Sequence, residues 1–342
     1  MDHCHTTGHV RGLLCTQCNT AIGMLSDNVS IIIKAQAYET AHVDDPVSQC
    51  IESLKIHIEK KRKLTGAEFV NLHLTMGMKG GREQVAAVKG YQDQRSAARD
   101  PKLKARVAEL RAFMATYKTN NITPVVNYLQ EADDSLTQYN QKAIDEDNGK
   151  LSVIMSSDKD LWMSRGWHID PKDGRMYEVT GYGHTEYREV GNVKPKLVGE
   201  GTSWFWHQML MGDTVDNIPG LETISGRLLN EYLPTKKYNA NRKAASCGPA
   251  KAVAILDGVT TDEEAAHRVY EAYFECYESD TAERILEQAF LLWMRRTGNV
   301  LDCQVFLKEC GLHLQWSPQQ ITALGRFKQL ALIQIEQNRK EQ

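Results

Sequence analysis

The sequence predicts an α/β protein built on an open sheet, and three of its stretches support this. Residues 69–74, Phe-Val-Asn-Leu-His-Leu, and residues 151–155, Leu-Ser-Val-Ile-Met, have the short apolar pattern of buried strands. Between them, residues 131–136 begin a helix, because acidic side chains occupy its first turn, where the helix dipole favours them. Ligands of open α/β sheets bind beyond the carboxyl ends of the strands. We therefore expect the acids near these strand ends to share one cleft.

The candidate ligands in this cleft are carboxylates in three groups: Glu131, Asp133 and Asp134; Asp158 and Asp160; Asp213 and Asp216. Like charges this close repel unless cations lie between them. All-oxygen ligation suits Mg²⁺ or Mn²⁺ and not Zn²⁺. Two such ions about 3.5–4 Å apart form a clamp for phosphodiester cleavage. Any single acid has an alternative interpretation as a helix cap or surface residue, but three groups together favour a metal site.

Three segments resemble the metal-binding motifs of the 5′ nuclease superfamily, which includes bacteriophage 5′–3′ exonucleases and flap endonucleases. They are residues 131–134 (Glu-Ala-Asp-Asp), 157–160 (Ser-Asp-Lys-Asp) and 212–220 (Gly-Asp-Thr-Val-Asp-Asn-Ile-Pro-Gly). The resemblance spans about residues 50–300. It implies a PIN-like sheet with helices on both faces and two-metal hydrolysis of DNA at 5′ ends or flaps. The first two groups of acids would hold the ion that generates the attacking hydroxide, and Asp213 and Asp216 would hold the second.

Composition limits the class of protein. The 342 residues are 42% hydrophobic and 25% charged, which suits one large domain plus a small one. No apolar run approaches the roughly 18 residues of a membrane span, and no secretory signal opens the chain. We expect a soluble cytoplasmic protein without a membrane partner. The 8 cysteines are scattered apart from one Cys-x-x-Cys, so we expect no disulfide framework.

The formal net charge of −3 conceals a basic stretch. Between Lys60 and Lys118 there are 14 Lys and Arg against 5 acids. Basic residues beside an acidic metal cleft fit a protein that holds phosphates on one surface and cuts them on another. For residues 102–118 alone, a solvated helical face is an equal alternative.

Residues 1–41 resemble the endonuclease VII branch of the His-Me (HNH) nucleases through an Asp-His pair and a Cys-x-x-Cys-Asn segment. The resemblance implies a zinc-finger ββα module with His3 as general base, Asp2 and Asn19 at a divalent ion, and Cys15 and Cys18 at Zn²⁺. A structural zinc site needs four ligands, and the family's second Cys-x-x-Cys is not present. We therefore predict a truncated module whose helical tail ends near residue 41, followed by a linker at residues 42–48.

A glycine-rich turn with two cations covers residues 75–82. The spacing of a nucleotide phosphate loop is absent. The 5′ nuclease resemblance implies that this turn and residues 88–95 lie by the active site. It implies that Lys79 and Arg82 act at the scissile phosphate, that Lys89 and Arg95 contact DNA, and that Tyr91 stacks on a base. A core aromatic is an equal alternative for Tyr91.

Two features of the superfamily are missing from this region. Its first, central strand, which carries an Asp, has no counterpart after the linker, and Thr75 stands where an Asp normally ends the strand at residues 69–74. The sheet is therefore predicted to lack its central strand, which would leave the neighbouring strands exposed.

Residues 217–257 resemble the superfamily's helix–three-turn–helix, with an insertion of about 25 residues. The resemblance implies that Gly248 and Lys251 grip a duplex phosphate at a helix N-terminus, together with a K⁺ ion. The insertion contains Lys236, Lys237, Arg242 and Lys243, which suit either contact with the duplex or a solvated loop.

The leading hypothesis is a 5′–3′ exonuclease or flap endonuclease with its nuclease domain at residues 49–342 and its metal core at 131–216. It would act on DNA 5′ ends, flaps and duplexes with a single-stranded arm in a bacteriophage-infected cell, together with replication proteins. One alternative is a branched-DNA endonuclease that works through residues 1–41, and another is a DNA-binding protein with impaired catalysis. Because chain ends fray unless tied down, we expect activity to survive removal of residues 1–41.

Overall fold

The computed structural model describes residues 2–3, 10–12, 29–34, 42, 44–94, 100–146, 151–170, 174–190, 193–234 and 239–340. The chain divides into two compact units. The first comprises Met1–Met78, Arg99–Leu161 and Arg165–Val179, and the second comprises Lys79–Ala98, Trp162–Ser164 and Thr180–Gln342.

The strands and helices alternate along much of the chain. The strands are Asp2–His3 (β1), Val10–Gly12 (β2), Val29–Lys34 (β3), Phe69–Thr75 (β4), Ile122–Asn127 (β5), Leu151–Met155 (β6), Gly166–Ile169 (β7), Met176–Val179 (β8), His184–Val190 (β9), Val193–Glu200 (β10), Thr223–Ile224 (β11) and Ala245–Ser246 (β12). The helices are Val47–Thr65 (α1), Arg82–Val85 (α2), Pro101–Thr116 (α3), Ala132–Glu146 (α4), Thr202–Met211 (α5), Gly226–Tyr232 (α6), Pro249–Ile255 (α7), Asp262–Tyr277 (α8), Thr281–Leu292 (α9), Asp302–Glu309 (α10) and Pro318–Lys340 (α11). In the described part of the chain there are also two 3-10 turns, at Lys159–Met163 and Glu278–Asp280.

A six-stranded sheet forms the centre of the first unit. Its strand order is β5-β4-β3-β6-β7-β8. The pairs from β5 to β7 are all parallel, and only β7 and β8 are antiparallel. The carboxyl ends of β3, β4, β5 and β6 therefore lie at one edge of the sheet. The short strands β1 and β2 pair only with each other among the described residues.

Strand β3 overturns the prediction of a missing central strand. Ser30 of β3 pairs with Phe69 of β4 on one side and with Ser152 of β6 on the other. The helical tail predicted up to residue 41 is therefore wrong over residues 29–34. An apolar run this short suits a helix or a strand equally, and pairing with two distant strands decides between them. The domain division at residues 42–48 stays a prediction.

Helices cover both faces of this sheet. Alternate residues of β4 point to opposite faces. Leu72 belongs to a core that includes Leu54 of α1 and Leu110 of α3. The neighbouring residue His73 instead contacts Ser135 of α4, so α4 lies on the other face. The predicted α/β fold with helices on both faces is confirmed. In the part of the chain that the structure describes, none of the helices has the length and apolar character of a membrane span.

The helix ends of the first unit follow local rules. Helix α1 ends at Gly66, whose φ of 65° is the left-handed conformation that glycine adopts without strain. Helix α3 begins at Asp100, whose side chain accepts a hydrogen bond from the Lys102 N–H, and Pro101 occupies its first position.

The second unit is mainly helical and has an aromatic core. Trp204, Phe205 and Trp206 of α5 are 2%, 0% and 0% exposed, which confirms their predicted role as core anchors. The Trp206 indole donates to Asp262 Oδ1 at 2.8 Å, and the Trp293 indole donates to Asp302 Oδ2 at 2.8 Å. These two buried indole N–H groups therefore have carboxylate acceptors. The unit also contains two antiparallel ribbons, β9 with β10 and β11 with β12.

Candidate metal-binding and DNA-binding residues

The acids after β6 lie in a tight turn of the first unit. The Asp158 N–H donates to Ser156 Oγ at 3.0 Å, and the Asp160 N–H donates to Asp158 Oδ1 at 3.3 Å. Lys159 forms an ion pair with Asp160 at 3.3 Å. The Asp160 N–H thus holds the Asp158 carboxylate and the Lys159 ammonium pairs with the Asp160 carboxylate, both just beyond the carboxyl end of a buried strand.

The acids at the start of α4 are tied to the end of β4. Thr75, the last residue of β4, accepts a hydrogen bond from the Ala132 N–H through Oγ1 at 2.8 Å. Asp134 in the first turn of α4 has no exposed surface, while Glu131 and Asp133 are half-buried. Strands β4 and β6 flank β3 in parallel, so these acids lie at the same edge of the sheet as Asp158 and Asp160.

Thr75 thus has a role that the sequence analysis missed. It occupies the place where an Asp was expected, and it anchors the start of the helix that carries Asp133 and Asp134. The sequence indicates this role only by a Thr at the end of a predicted strand. Its partner, Ala132, lies 57 residues further along the chain.

A buried histidine lies beneath the same helix. His73 Nδ1 and Ser135 Oγ form a 2.9 Å hydrogen bond, and the ring meets the Tyr139 ring edge-on at 4.8 Å between centroids. Burial lowers the pKa of His73 to about 3. The imidazole is therefore neutral at pH 7 in the folded chain.

Protonation of His73 links the stability of this unit to pH. In the unfolded chain a histidine binds its proton below a pH of about 6.5, whereas folded His73 does so only near pH 3. The free energy of unfolding should therefore fall as the pH drops from about 6.5 towards 3, by about 1.4 kcal/mol per pH unit from this residue. Urea unfolding of wild type and His73→Leu at pH 7, 6 and 5 measures it. Parallel pH dependences in the two proteins would contradict the assignment.

The third group of acids lies in a closed turn of the second unit. The Asp213 N–H donates to the Ile218 carbonyl and the Ile218 N–H donates to the Asp213 carbonyl, both at 2.8 Å. Asp213 is buried, and its Oδ1 accepts from the Val215 N–H at 2.8 Å. One carboxylate oxygen of Asp213 and one of Asp216 lie within 4.8 Å of each other. This pair is spaced to hold a cation.

Two glycines close this turn. Gly212 has a φ of 72° and Gly220 a φ of 68°, in the left-handed region. A Cβ atom on Gly220 would lie 2.3 Å from the Gly212 nitrogen, so no other residue fits there without moving the backbone. We call residues 212–220 the acidic turn.

Residues 87–94, which we call the basic segment after Lys89, contact the acidic turn. The Gln92 N–H donates to the Asp216 carbonyl at 3.0 Å, and Asn217 Nδ2 donates to the Gly90 carbonyl at 2.9 Å. Tyr91 OH donates to Asp216 Oδ2 at 3.5 Å. The two segments therefore form one hydrogen-bonded assembly within the second unit, and the Lys89 side chain is exposed beside it.

Two predicted DNA contacts are at odds with the structure. Tyr91 is only 5% exposed, so its ring is a core aromatic and not a platform for a base. Arg82 has no exposed surface, and its guanidinium donates to the carbonyls of Leu291 at 3.2 Å and Trp293 at 2.8 Å. It stabilises the end of α9, where helix carbonyls lack partners. Arg82 is thus a structural residue and does not reach a phosphate.

The other predicted cations have mixed surroundings. Lys79 pairs with Glu83 at 3.1 Å, and its ammonium lies 5.5 Å from the centre of the Tyr91 ring. Lys251 lies in the first turn of α7, half-buried, and its ammonium donates to the Ser246 carbonyl at 2.7 Å. Gly248 precedes that helix in extended conformation.

Part of the predicted site lies outside the described residues: Cys15, Cys18, Asn19, Arg95, Lys236 and Lys237. For Asp2 and His3 the structure gives the backbone, which forms β1. In the insertion, Arg242 donates at 2.7 Å to the carbonyl of Leu233, the residue that follows α6, and Lys243 is exposed.

Comparison with known proteins gives a match to a protein family at the N-terminus and, over most of the chain, matches to solved structures. The recombination endonuclease VII family matches residues 1–41. No curated protein sequence matches the chain significantly.

Several solved structures of bacteriophage T5 proteins are similar to the chain. A T5 5′-exonuclease with bound zinc is 16% identical with a TM-score of 0.44, and the match covers 82% of this chain and 98% of that one. A T5 flap endonuclease in a complex with DNA and metal ions is 15% identical with a TM-score of 0.43, with the same coverage. A T5 protein co-crystallised with metal ions is 16% identical with a TM-score of 0.43, covering 83% and 100%. The chain is thus similar to endonuclease VII over residues 1–41 and to bacteriophage 5′ nucleases over most of its length.

Proposed function

We propose that this protein is a metal-dependent nuclease that hydrolyses DNA at 5′ ends or flaps with two Mg²⁺ or Mn²⁺ ions. The observation that carries the proposal is the edge of the parallel sheet in the first unit. Two groups of acids, one at the start of α4 and one after β6, lie at that edge, which is where open α/β sheets bind ligands.

The donor set fits hard divalent cations. Every proposed ligand is a carboxylate, and Asp134 and Asp213 are 0% and 4% exposed. Buried carboxylates are stable when they are paired or coordinate a metal. Oxygen ligands of this kind suit Mg²⁺ and Mn²⁺. When bound, the ions would activate water and neutralise charge on the scissile phosphate, so no nucleophilic Ser or Cys is required.

Each group of acids has a separate task in this proposal. The carboxylates of the first unit, namely Glu131, Asp133, Asp134, Asp158 and Asp160, hold the ion nearest the attacking water. Asp213 and Asp216 hold the second ion, and the short turn they share keeps them at a fixed spacing. Lys79 orients the phosphate, and Lys89 and Arg95 bind the neighbouring nucleotides.

Cleavage of a 5′-flap duplex tests the proposal. With Mg²⁺ we expect release of the labelled 5′ arm, no release in EDTA, and little cleavage of a matched 3′-flap duplex. Binding without cleavage in either Mg²⁺ or Mn²⁺ would favour the alternative of a DNA-binding protein with impaired catalysis.

Lys251 provides a test of duplex binding. We propose that α7 and Gly248 grip a duplex phosphate, with K⁺ at the same place. Lys251→Ala should weaken duplex binding for every sequence and reduce the slope of log K against log salt by about one phosphate contact. Filter binding from 50 to 200 mM salt measures this. An effect confined to single-stranded DNA would contradict the assignment.

A second function is favoured by the endonuclease VII match at residues 1–41. In this alternative the N-terminal module cuts branched DNA, with His3 as general base, Asp2 and Asn19 at a divalent ion, and Zn²⁺ at Cys15 and Cys18. His3→Ala should then abolish cleavage of a four-way junction and leave 5′-flap cleavage unchanged. We further propose that the protein acts in a bacteriophage-infected cell, alongside replication proteins.

A further inference from the structure

Helix α9 carries two neighbouring polar side chains inside an apolar core. Glu287 is 1% exposed and Gln288 is 2% exposed, and the apolar residues on either side, Leu286 and Ala289, are also buried. Burial of a carboxyl or an amide costs free energy unless hydrogen bonds compensate for it. The partners of these two side chains therefore indicate what they are for.

Gln288 contacts the acidic turn. Its Oε1 accepts a hydrogen bond from the Gly220 N–H at 3.0 Å. Gly220 packs directly against Gly212, and Asp213 follows Gly212 in the chain. The amide of Gln288 thus holds the end of the turn that carries Asp213 and Asp216.

Glu287 contacts the basic segment. Its Oε1 accepts from the Ala87 N–H at 2.7 Å and from the Val88 N–H at 2.9 Å. Arg284 lies 3.7 Å from its other oxygen. Hydrogen bonds to a charged acceptor are stronger than neutral ones, so the carboxylate fixes the start of the segment that leads to Lys89.

We propose that Glu287 and Gln288 are positioning residues of the nuclease. This inference rests on the proposed function, because the acidic turn and the basic segment are assigned there to metal and phosphate. Adjacent residues of one helix hold the two segments, so α9 fixes the distance between a pair of metal ligands and a phosphate-binding lysine. Displacements of about 1 Å at such sites lower rates about a hundredfold.

The two residues should give different kinetic effects. Gln288→Met keeps the size of the side chain but removes the acceptor. We expect kcat to fall about tenfold or more and the Mg²⁺ concentration for half-maximal rate to rise, with KM for DNA nearly unchanged. Glu287→Met should instead raise KM for DNA and change the Mg²⁺ dependence less than Gln288→Met does. Glu287→Gln keeps an Oε1 acceptor and should restore most of the wild-type KM.

Gln320→Met is the matched control. Gln320 is 3% exposed in the same unit, accepts from the Ser317 N–H at 3.1 Å and donates to the Glu283 carbonyl at 2.8 Å. These hydrogen bonds involve neither the acidic turn nor the basic segment, so its loss should lower the melting temperature without changing the Mg²⁺ dependence or KM. If Gln288→Met and Gln320→Met have the same kinetic profile, the positioning role is wrong.

Two further measurements keep this test separate from the test of the nuclease activity. If wild type does not cleave, Mn²⁺ binding by calorimetry should still weaken in Gln288→Met, and flap-DNA binding should weaken in Glu287→Met. If Gln288→Met does not fold, Gln288→Asn is the milder substitution, because it keeps the amide but shortens the side chain by one methylene group. Unchanged Mn²⁺ affinity in the folded Gln288 variant would overturn the proposal.

Discussion

Asp158→Asn combined with Asp160→Asn should abolish Mg²⁺-dependent cleavage, with a loss of about a thousandfold or more in kcat. Both carboxylates lie in one turn at the carboxyl end of β6. Neutral amides are weaker ligands for Mg²⁺. They also remove negative charge that repels phosphates, so DNA binding should be unchanged or tighter. Single-turnover cleavage and filter binding of the same flap substrate measure the two effects.

A matched pair of acids controls for the change in charge. Asp145 and Glu146 lie in the last turn of α4 and are exposed, at the far end from Asp133 and Asp134. Asp145→Asn with Glu146→Gln removes the same two charges and should leave kcat unchanged. A near wild-type rate in the Asp158 and Asp160 double variant would refute the metal-site assignment.

Removal of residues 1–41 should prevent the first unit from folding cooperatively. The deletion takes away β3, which lies between β4 and β6 and pairs with both. Strands β4 and β6 would then each expose unpaired backbone groups along one edge, which favours aggregation. This reverses the expectation from sequence that activity survives the deletion. Circular dichroism during thermal unfolding should show the sigmoidal transition of wild type and a broad or absent one in the deletion variant.

A shorter deletion separates the strand from the rest of the N-terminal segment. Removal of residues 1–28 keeps β3 but takes away β1, β2 and the Cys-x-x-Cys segment. This variant should unfold cooperatively and retain 5′-flap cleavage, while four-way junction cleavage by the N-terminal module would be lost. A fully cooperative 42–342 variant with the wild-type melting temperature would show that β3 is dispensable.

Elements with strong local signals were predicted closely from the sequence. The strand predicted at residues 151–155 is β6, with the same bounds. The acidic first turn predicted near residue 131 begins α4 at Ala132. In both cases the pattern of a few consecutive residues was enough to predict the element.

Features that depend on distant partners were not predictable. Strand β3 exists because it pairs with residues of other strands that are 39 or more positions away in the sequence. Arg82 was predicted to contact a phosphate, but its side chain is buried and donates to carbonyls more than 200 residues away in the sequence. Glu287 and Gln288 carry no signal beyond polar residues within a run of apolar ones. Pattern analysis therefore found the candidate acids but not the side chains that hold them in place.

Anomalous diffraction from crystals soaked in Mn²⁺ tests the central claim most directly. The proposal predicts two peaks, one bound by Asp158 and Asp160 and the other by Asp213 and Asp216. Crystals of the Asp158 and Asp160 double variant should lose the first peak. The absence of a peak at all four carboxylates, in crystals soaked at Mn²⁺ concentrations that support cleavage, would contradict the claim.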